Sequence, residues 1–315
     1  MAIRSFKYFR EQAGTGVRKT VAVAAAQDAH TIEATLRAAQ EGILDYVLVG
    51  QAREILDICK SLGYEARQGC VLNASSDEEA ARIAVDLVRS GQADFLQKGL
   101  LQTAVLLKSV VDKESGISQG RAISHIALLE IPGYPKIVGI TDGGMIPYPD
   151  LEEKATIVKN AVEMFHGFGY EKPMVAALGP AETVNPKIQE TKDAAALKEM
   201  AAQGAFGQCY VEGPVSLDLA VNRESAQIKG YHSPISGQVD IFLVPNISCG
   251  NIMAKTLMEF AQAKMAGCVL GAKCPIALNS RSASFEEKYD SLMACAQMLT
   301  GGQRDDSFAE GGNSI

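Results

Sequence analysis

An α/β fold is predicted, and three observations predict it. Short apolar runs of strand character alternate with helical stripes along most of the chain. Glycine, proline and small polar residues close those runs, as loops between strands and helices require. The 315 residues, 47% of them hydrophobic, suffice for about two domains, or one large one, at roughly 150 residues each. Strand followed by helix followed by strand is the pattern of βαβ units and a parallel sheet.

Residues 20–25 are an apolar strand, followed by Gln27-Asp28 and a helical pattern over 31–41. Residues 46–49 repeat the strand, Gly50 breaks it, and 53–62 return to helix. Ala80, Ile83, Ala84, Leu87 and Val88 form one helical stripe, with Asp77 as its cap candidate. Residues 94–96 are strand-like and run into Lys98-Gly99, and 103–111 are helical. Two strands over 123–131 and 136–141 are separated by a Pro-Gly-Tyr-Pro turn, and Asp142-Gly143-Gly144 ends the second. A long helix over 150–168 carries Leu151, Ala155, Val158, Val162 and Phe165 on one face. The second half holds strands over 174–178, 208–211 and 241–244, a helix over 194–203, and a stripe of Met253, Thr256, Leu257, Phe260 and Ala261. Residues 269–270 and 276–278 are strands; Tyr289, Leu292, Met293 and Ala296 face one way on a last helix. Residues 301–315 read as a frayed polar tail.

A net charge of −7 and a pI near 5.3 argue against a nucleic-acid backbone as main partner, while leaving room for a small anion held by local cations. Residues 241–254 are uncharged but contain Pro245, Asn246 and Gly250, and a membrane span needs about 20 apolar residues, so no membrane association is expected. Arg4, Lys7 and Arg10 are followed by Glu11, Gln12 and a Gly-Thr-Gly turn rather than an apolar run, so no leader is expected. Seven cysteines without a C-x-x-C pair fit a reduced, cytoplasmic protein.

Ligands of open parallel sheets bind beyond the carboxyl ends of strands. Those exits are Gln97-Lys98-Gly99, Thr141 to Gly144, Gly179-Pro180, Glu212-Gly213-Pro214, Pro245-Asn246 and Asn279-Ser280-Arg281. Small polar residues at a helix start leave backbone N–H groups free for an anion, although any one such loop is more simply a turn or a cap. Neither G-x-x-x-x-G-K-[ST] nor G-x-G-x-x-G occurs, and the histidines (30, 125, 166, 232) are scattered, so no metal site is expected. Gly116-Ile117-Ser118-Gln119-Gly120 matches G-x-S-x-G by chance, since a helix precedes it and a strand follows, the reverse of a nucleophile elbow.

Four pieces of the second half stand together: Glu212, Gly213, Pro214 and Asp218 in EGP…D; SPISG at 233–237; Pro245, Asn246, Gly250, Asn251 and Lys255 in PNISCGNIMAK; and Pro275, Ser280 and Arg281 in PIALNSR. In this order and spacing the chain resembles the phosphate acyltransferase family that contains phosphate acetyltransferase and phosphate butyryltransferase. Lys98, Gly99 and Thr103, the strand ending at Thr141-Asp142, and PDLEEKATIVKNAVE at 149–163 resemble the butyryl branch, and the likeness spans about residues 20–299. The resemblance implies an isocitrate-dehydrogenase-like fold of two α/β domains with an interdomain cleft. One domain would be residues 1–145 plus 274–315, the other 146–273, and the assembly a homodimer. It implies the reaction acyl-CoA + phosphate ⇌ acyl phosphate + CoA, with coenzyme A and phosphate as substrates and no permanently bound cofactor.

On that resemblance Ser280, Arg281 and Glu287 are the catalytic candidates. Lys98, Gly99, Thr103, Asp142, Gly213, Pro214, Asn246, Gly250, Asn251 and Lys255 are the substrate-binding ones. The chemistry asks for cations that hold two anions together, donors for a developing oxyanion, and an acid group that takes the thiol proton when acyl-CoA forms. Arg281 suits an anionic oxygen by its planar fork; its competing explanation is a salt bridge at a helix start. Glu287 stands seven positions after Ser280, where the acetyl branch has its acid, while the aspartate of the butyryl branch is replaced by Ala283; Glu286 and Glu287 read equally as solvated first-turn acids stabilised by the helix dipole. Gly143, Gly144 and Met145 also depart from the usual Ala and Asn after the aspartate. Two other readings stay open: a decarboxylating dehydrogenase of the same fold, which needs an aspartate cluster for a divalent metal, and a non-catalytic acyl-CoA binder or partner module of a fatty-acid enzyme.

Overall fold

A computed structural model describes residues 2–13 and 17–301; the Gly-Thr-Gly turn and the tail beyond Gly301 lie outside the described residues. The first half runs α1 (Phe6–Ala13), β1 (Lys19–Ala24), α2 (Ala29–Gln40), β2 (Leu44–Gly50), α3 (Ala52–Ser61), β3 (Val71–Asn73), α4 (Asp77–Arg89), β4 (Phe95–Lys98), α5 (Thr103–Val110), β5 (Ser124–Glu130) and β6 (Val138–Thr141). The second runs α6 (Leu151–Gly167), β7 (Met174–Leu178), α7 (Gln189–Ala202), β8 (Tyr210–Val215), α8 (Leu217–Val221), α9 (Arg223–Ile228), β9 (Ile241–Leu243), α10 (Ile247–Ala261), β10 (Lys264–Leu270), β11 (Ile276–Ala277) and α11 (Phe285–Gly301).

The strands join one sheet in the order β3-β2-β1-β4-β11-β10-β5-β6-β9-β7-β8. It is mixed. β3, β2, β1, β4 and β11 are parallel to one another, as are β6, β9, β7 and β8. Between the sets, β10 is antiparallel to both β11 and β5, and β5 is antiparallel to β6. Three reversals leave the two parallel sets pointing in opposite directions. The parallel sheet expected from strand–helix alternation is found as two parallel sets within a mixed sheet. The Pro-Gly-Tyr-Pro segment, too short for a crossover, closes a hairpin between β5 and β6.

Other elements also differ from expectation: β3, α8 and α9 were not expected, and α1 and β10 matter most for the core. α1 packs Phe6 and Phe9 into the core, and its Arg10 Nε and Nη2 donate to the buried Asp290 Oδ1 on α11 at 2.9 and 2.7 Å. β10 begins at Lys264, five residues before the expected strand, because Gly267 interrupts its apolar run. A Cβ at Gly267 would lie 2.2 Å from Leu278 O, so only glycine lets the chain just after β11 lie this close to β10. The long helix forms as expected, with a capping box between Asp150 and Glu153.

At the start of β9, Asp240 ties the second parallel set together. Its Oδ1 accepts from Lys136 Nζ at 2.6 Å and its Oδ2 from Met174 N at 2.8 Å, joining the segments that enter β6, β9 and β7. Burial pushes the Asp240 carboxyl above its ordinary range, and Lys136 opposes that shift. Lys136→Met should therefore destabilise the protein by about 3–5 kcal/mol at pH 8 in urea unfolding, the usual loss for a buried charge left alone. The deficit should shrink at pH 5. A carboxyl whose folded pKa is raised gains stability from protonation, and that gain is lost as pH rises through the raised value. An equal deficit at both pH values would contradict the charge explanation.

Candidate active site

The oppositely directed sets converge over the middle of the sheet. β11 releases the 279–284 loop from one side, and β6 releases the 142–146 loop from the other. Between them β5 and β10 supply a floor that includes His125, Ala127 and Met265, and α10 closes the far wall with Asn251, Lys255 and Met258. The resulting cleft holds about 570 Å³ and is also lined by Thr103, Gly143, Gly144, Ser280 and Glu287.

Two close backbone approaches define this space. A Cβ at Gly99 would lie 2.1 Å from Ala25 O, so glycine alone allows the exit of β4 to lie against that of β1. A Cβ at Gly250 would lie 2.7 Å from Gly143 Cα and 2.9 Å from Asp142 O, which seats the first turn of α10 against the exit of β6.

Lys98 and Ser280 leave the carboxyl ends of neighbouring parallel strands, β4 and β11. Lys98 is buried; its Nζ donates to Gly99 O at 3.0 Å and to Leu101 O at 3.1 Å. Burial first, then the positive charges of Lys288 and Arg281, hold the Lys98 ammonium below its ordinary pKa. Lys288 is itself paired with Asp28 and donates to Thr31 Oγ1 at 2.9 Å. Burial opposes ionisation of Asp28, but hydrogen bonds from Lys288 and Thr31 prevail and hold its carboxyl below the ordinary range. Arg281 is exposed and makes no hydrogen bond or ion pair among the described residues, so the salt bridge that could have explained it has no partner there. A buried lysine and an unpaired arginine side by side make a positive locus open to an anion.

Ser280 Oγ lies 3.1 Å from Ser282 Oγ. Glu287 takes part in a capping box that starts α11: its Oε2 accepts from Ser284 N at 2.8 Å, and Ser284 Oγ accepts from Glu287 N at 3.2 Å. Thr103 opens α5, whose N-cap residue Gln102 makes no side-chain cap hydrogen bond.

Other expected site residues sit elsewhere or are already occupied. The Asp142 carboxylate accepts from the backbone N–H groups of Gly144, Met145 and Ile146 at 2.7, 2.9 and 3.3 Å, which shapes the loop after β6. Asn246 caps α10, accepting from Cys249 N at 3.1 Å, and is not among the cleft-lining residues. Gly213 and Pro214 are on β8, the edge strand three spacings beyond β6, or roughly 14 Å at the usual strand separation. There Gly213 meets a packing need, since a Cβ would lie 2.8 Å from Ala177 Cβ on β7. Its neighbour Glu212 collects Lys198, Tyr210 and Ser233. His125 was passed over in the sequence; its one signal there is a Ser-His pair at the head of an otherwise apolar strand.

Phosphate should stabilise the protein through Lys98. In thermal melts, the rise in Tm on adding phosphate is expected at pH 7 and should fade as pH exceeds the lowered Lys98 pKa, although phosphate gains charge over that range. Lys98→Met should abolish the rise at pH 7. A rise that persists in the variant would remove Lys98 from the anion site.

Comparison with known proteins gives a consistent picture. The family described as phosphate acetyl/butaryl transferase matches residues 73–296. The chain is 39% identical over 299 residues to a phosphate butyryltransferase of Clostridium acetobutylicum, covering 95% of this chain and 99% of that one. It is also 39% identical over 281 residues to a phosphate acetyltransferase of Thermotoga maritima, covering 89% and 95%. Its fold is similar to the crystal structure of a branched-chain phosphotransacylase from Enterococcus faecalis, with a TM-score of 0.78 at 31% identity, covering 89% of this chain and 99% of that one.

Proposed function

The chain belongs to the phosphate acetyl/butaryl transferase family, and we propose that its cleft moves short acyl groups, butyryl in preference to acetyl, between coenzyme A and phosphate. The reaction is acyl-CoA + phosphate ⇌ acyl phosphate + CoA. The observation that carries the site assignment is Arg281, exposed, without a partner among the described residues, near enough for its charge to act on the buried Lys98, and next in the chain to Ser280, which lines the cleft.

Arg281 and Lys98 take phosphate, the arginine through its paired donors, while Thr103 brings an open backbone N–H at the start of α5 to the same anion; Gly99, whose N–H donates to Ala24 O at 2.9 Å, shapes the turn that leads there. Ser280 donates to the oxygen that phosphate brings to the acyl carbon. From the opposite wall, Asn251 and Lys255, on the first turns of α10, take the anionic part of coenzyme A, while Gly250, whose N–H donates to Asn246 O at 3.2 Å, lets that wall approach β6. Holding both anions in one geometry is a large part of the rate gain, because they otherwise repel and meet by diffusion. In the direction that forms acyl-CoA, Glu287 accepts the thiol proton through Oε1, its Oε2 being committed to Ser284. Asp142 and Asn246 act on substrate through the loop and helix that they hold.

Two relatives of equal identity carry butyryl and acetyl names, so identity does not decide the acyl chain. The apolar side chains of Ala127, Ile140, Met258, Met265 and Leu278 in the cleft favour the longer chain. In the isocitrate-dehydrogenase-like reading the chain divides into residues 1–145 with 274–315 and residues 146–273, and the cleft lies between the two parallel sets of the sheet. The protein works as a cytoplasmic homodimer: seven free cysteines fit a reducing compartment, and α10 leaves Ile252 and Phe260 exposed for a second copy.

Thiol release, followed by a chromogenic disulfide reagent with phosphate and a series of acyl-CoAs, tests this. Phosphate-dependent release with butyryl-CoA above acetyl-CoA in kcat/KM is expected, each methylene being worth about 1–3 kcal/mol. An acetyl preference above tenfold would overturn the butyryl assignment. Arg281→Ala should lower kcat by about 10²–10³-fold with an unchanged melting curve, and Arg281→Lys should recover part of it. Near-normal kcat/KM in Arg281→Ala would remove the residue from catalysis.

A further inference from the structure

His125 lies in the cleft floor and no role above uses it. Its ring fills a slot between two glycines: a Cβ at Gly144 would sit 3.0 Å from its Cγ, and one at Gly267 would sit 3.3 Å from its Nε2. The slot is thus made by backbone approaching the imidazole from both β10 and the loop after β6. Nδ1 is sealed from solvent with no hydrogen-bond partner. Nε2 has no partner among the described residues either, but it is not sealed, and it borders the cleft.

Burial lowers the pKa of His125 and outweighs the attraction of Asp142, whose carboxylate is spent on three backbone N–H groups. The other charged side chains lining the cleft are Lys255, Glu259 and Glu287. The ring is neutral at pH 7 and carries one proton. A buried N–H without an acceptor is a costlier defect than an unused lone pair. The proton therefore sits on Nε2, and the bare lone pair stays at Nδ1.

Resting on the acyl-transfer reading above, we propose that His125 is a catalytic hydrogen-bond donor whose Nε2–H binds the acyl carbonyl oxygen. A phosphate oxygen forms its bond to the carbonyl carbon, and the C=O π pair retreats onto the oxygen that His125 holds. That pair returns as the C–S bond breaks, the sulfur leaves with the bonding electrons, and the proton carried by phosphate ends on the sulfur. His125 keeps its own proton throughout. A neutral donor in a slot closed by backbone is already oriented when the charge develops, which is where such donors are most effective.

The test compares steady-state kinetics of the full-length wild type, His125→Ala and His125→Gln with butyryl-CoA and phosphate. His125→Ala should lose about 10²–10³-fold in kcat with KM for butyryl-CoA within about threefold. His125→Gln, which restores an N–H, should regain at least about tenfold and keep the acid limb of the wild-type pH profile. A His125→Ala kcat within about threefold of wild type, a loss confined to KM, or an acid limb that vanishes in His125→Gln would overturn the donor role. Should His125→Ala fail to melt cooperatively, the Nε2–H resonance of wild type labelled with [15N]histidine decides. A downfield movement on adding butyryl-CoA supports the contact, and no movement overturns it. A wild type without phosphate-dependent turnover overturns this inference together with the reading it rests on; an active wild type with an equally active His125→Ala overturns this one alone.

Discussion

The antiparallel pairing of β10 with β5 is the constraint on which the rest of the architecture depends. The register runs over seven residues of each strand, from Lys264 opposite Glu130 to Leu270 opposite Ser124. A wholly parallel sheet would present all its carboxyl ends at one edge and bind there. The reversal instead turns two parallel sets to face opposite ways, so that the loop after β11 and the loop after β6 meet over the strands that separate them. The cleft exists because of that meeting. Its floor is sheet surface, and its walls are the residues that leave the last turns of either set.

Close backbone contact maintains the geometry. Gly99 against Ala25, Gly250 against Gly143 and Gly267 against Leu278 are three places where a methyl group would push cleft-forming segments apart. Ionic clamps act beside them: Lys288 with Asp28 fixes α11 to the start of α2, and Lys136 with Asp240 fixes the second set. Breaking such buried pairs costs more than forming them contributes, so they specify arrangement more than they add net stability. Beside these clamps, Arg281 without a partner among the described residues and Lys98 held below its ordinary pKa are charge held ready for a ligand.

Much of this was legible in the sequence where the pattern was local. The helical stripes of residues 80–88 and 150–168 and the strand exits at Lys98 and Ser280 follow from periodicity and punctuation, and the structure brings those two exits to adjacent parallel strands. What could not be read depends on contacts far apart in the chain. β3 spans three residues, too few for alternation to register, and α1 offers only Phe6 and Phe9 as a stripe. The direction of β10 is a property of its partners rather than of its residues. Gly213-Pro214 looked like a strand-exit loop, yet it lies within an edge strand whose glycine answers to Ala177. Glu287 fits both a capping box and a base because the same first-turn acid satisfies either demand, and His125 hides as one polar residue in an apolar strand.

On this geometry the reactants meet in the cleft above β5 and β10. A crystal structure with phosphate and the thiol-free analogue desulfo-CoA tests it most directly. Phosphate is expected between Ser280 and the Lys98–Arg281 pair, with the pantetheine arm reaching over Ala127 and Met265 from the α10 wall. Phosphate or the nucleotide seated at the β8 edge beside Gly213 and Pro214, with the cleft holding neither, would contradict it.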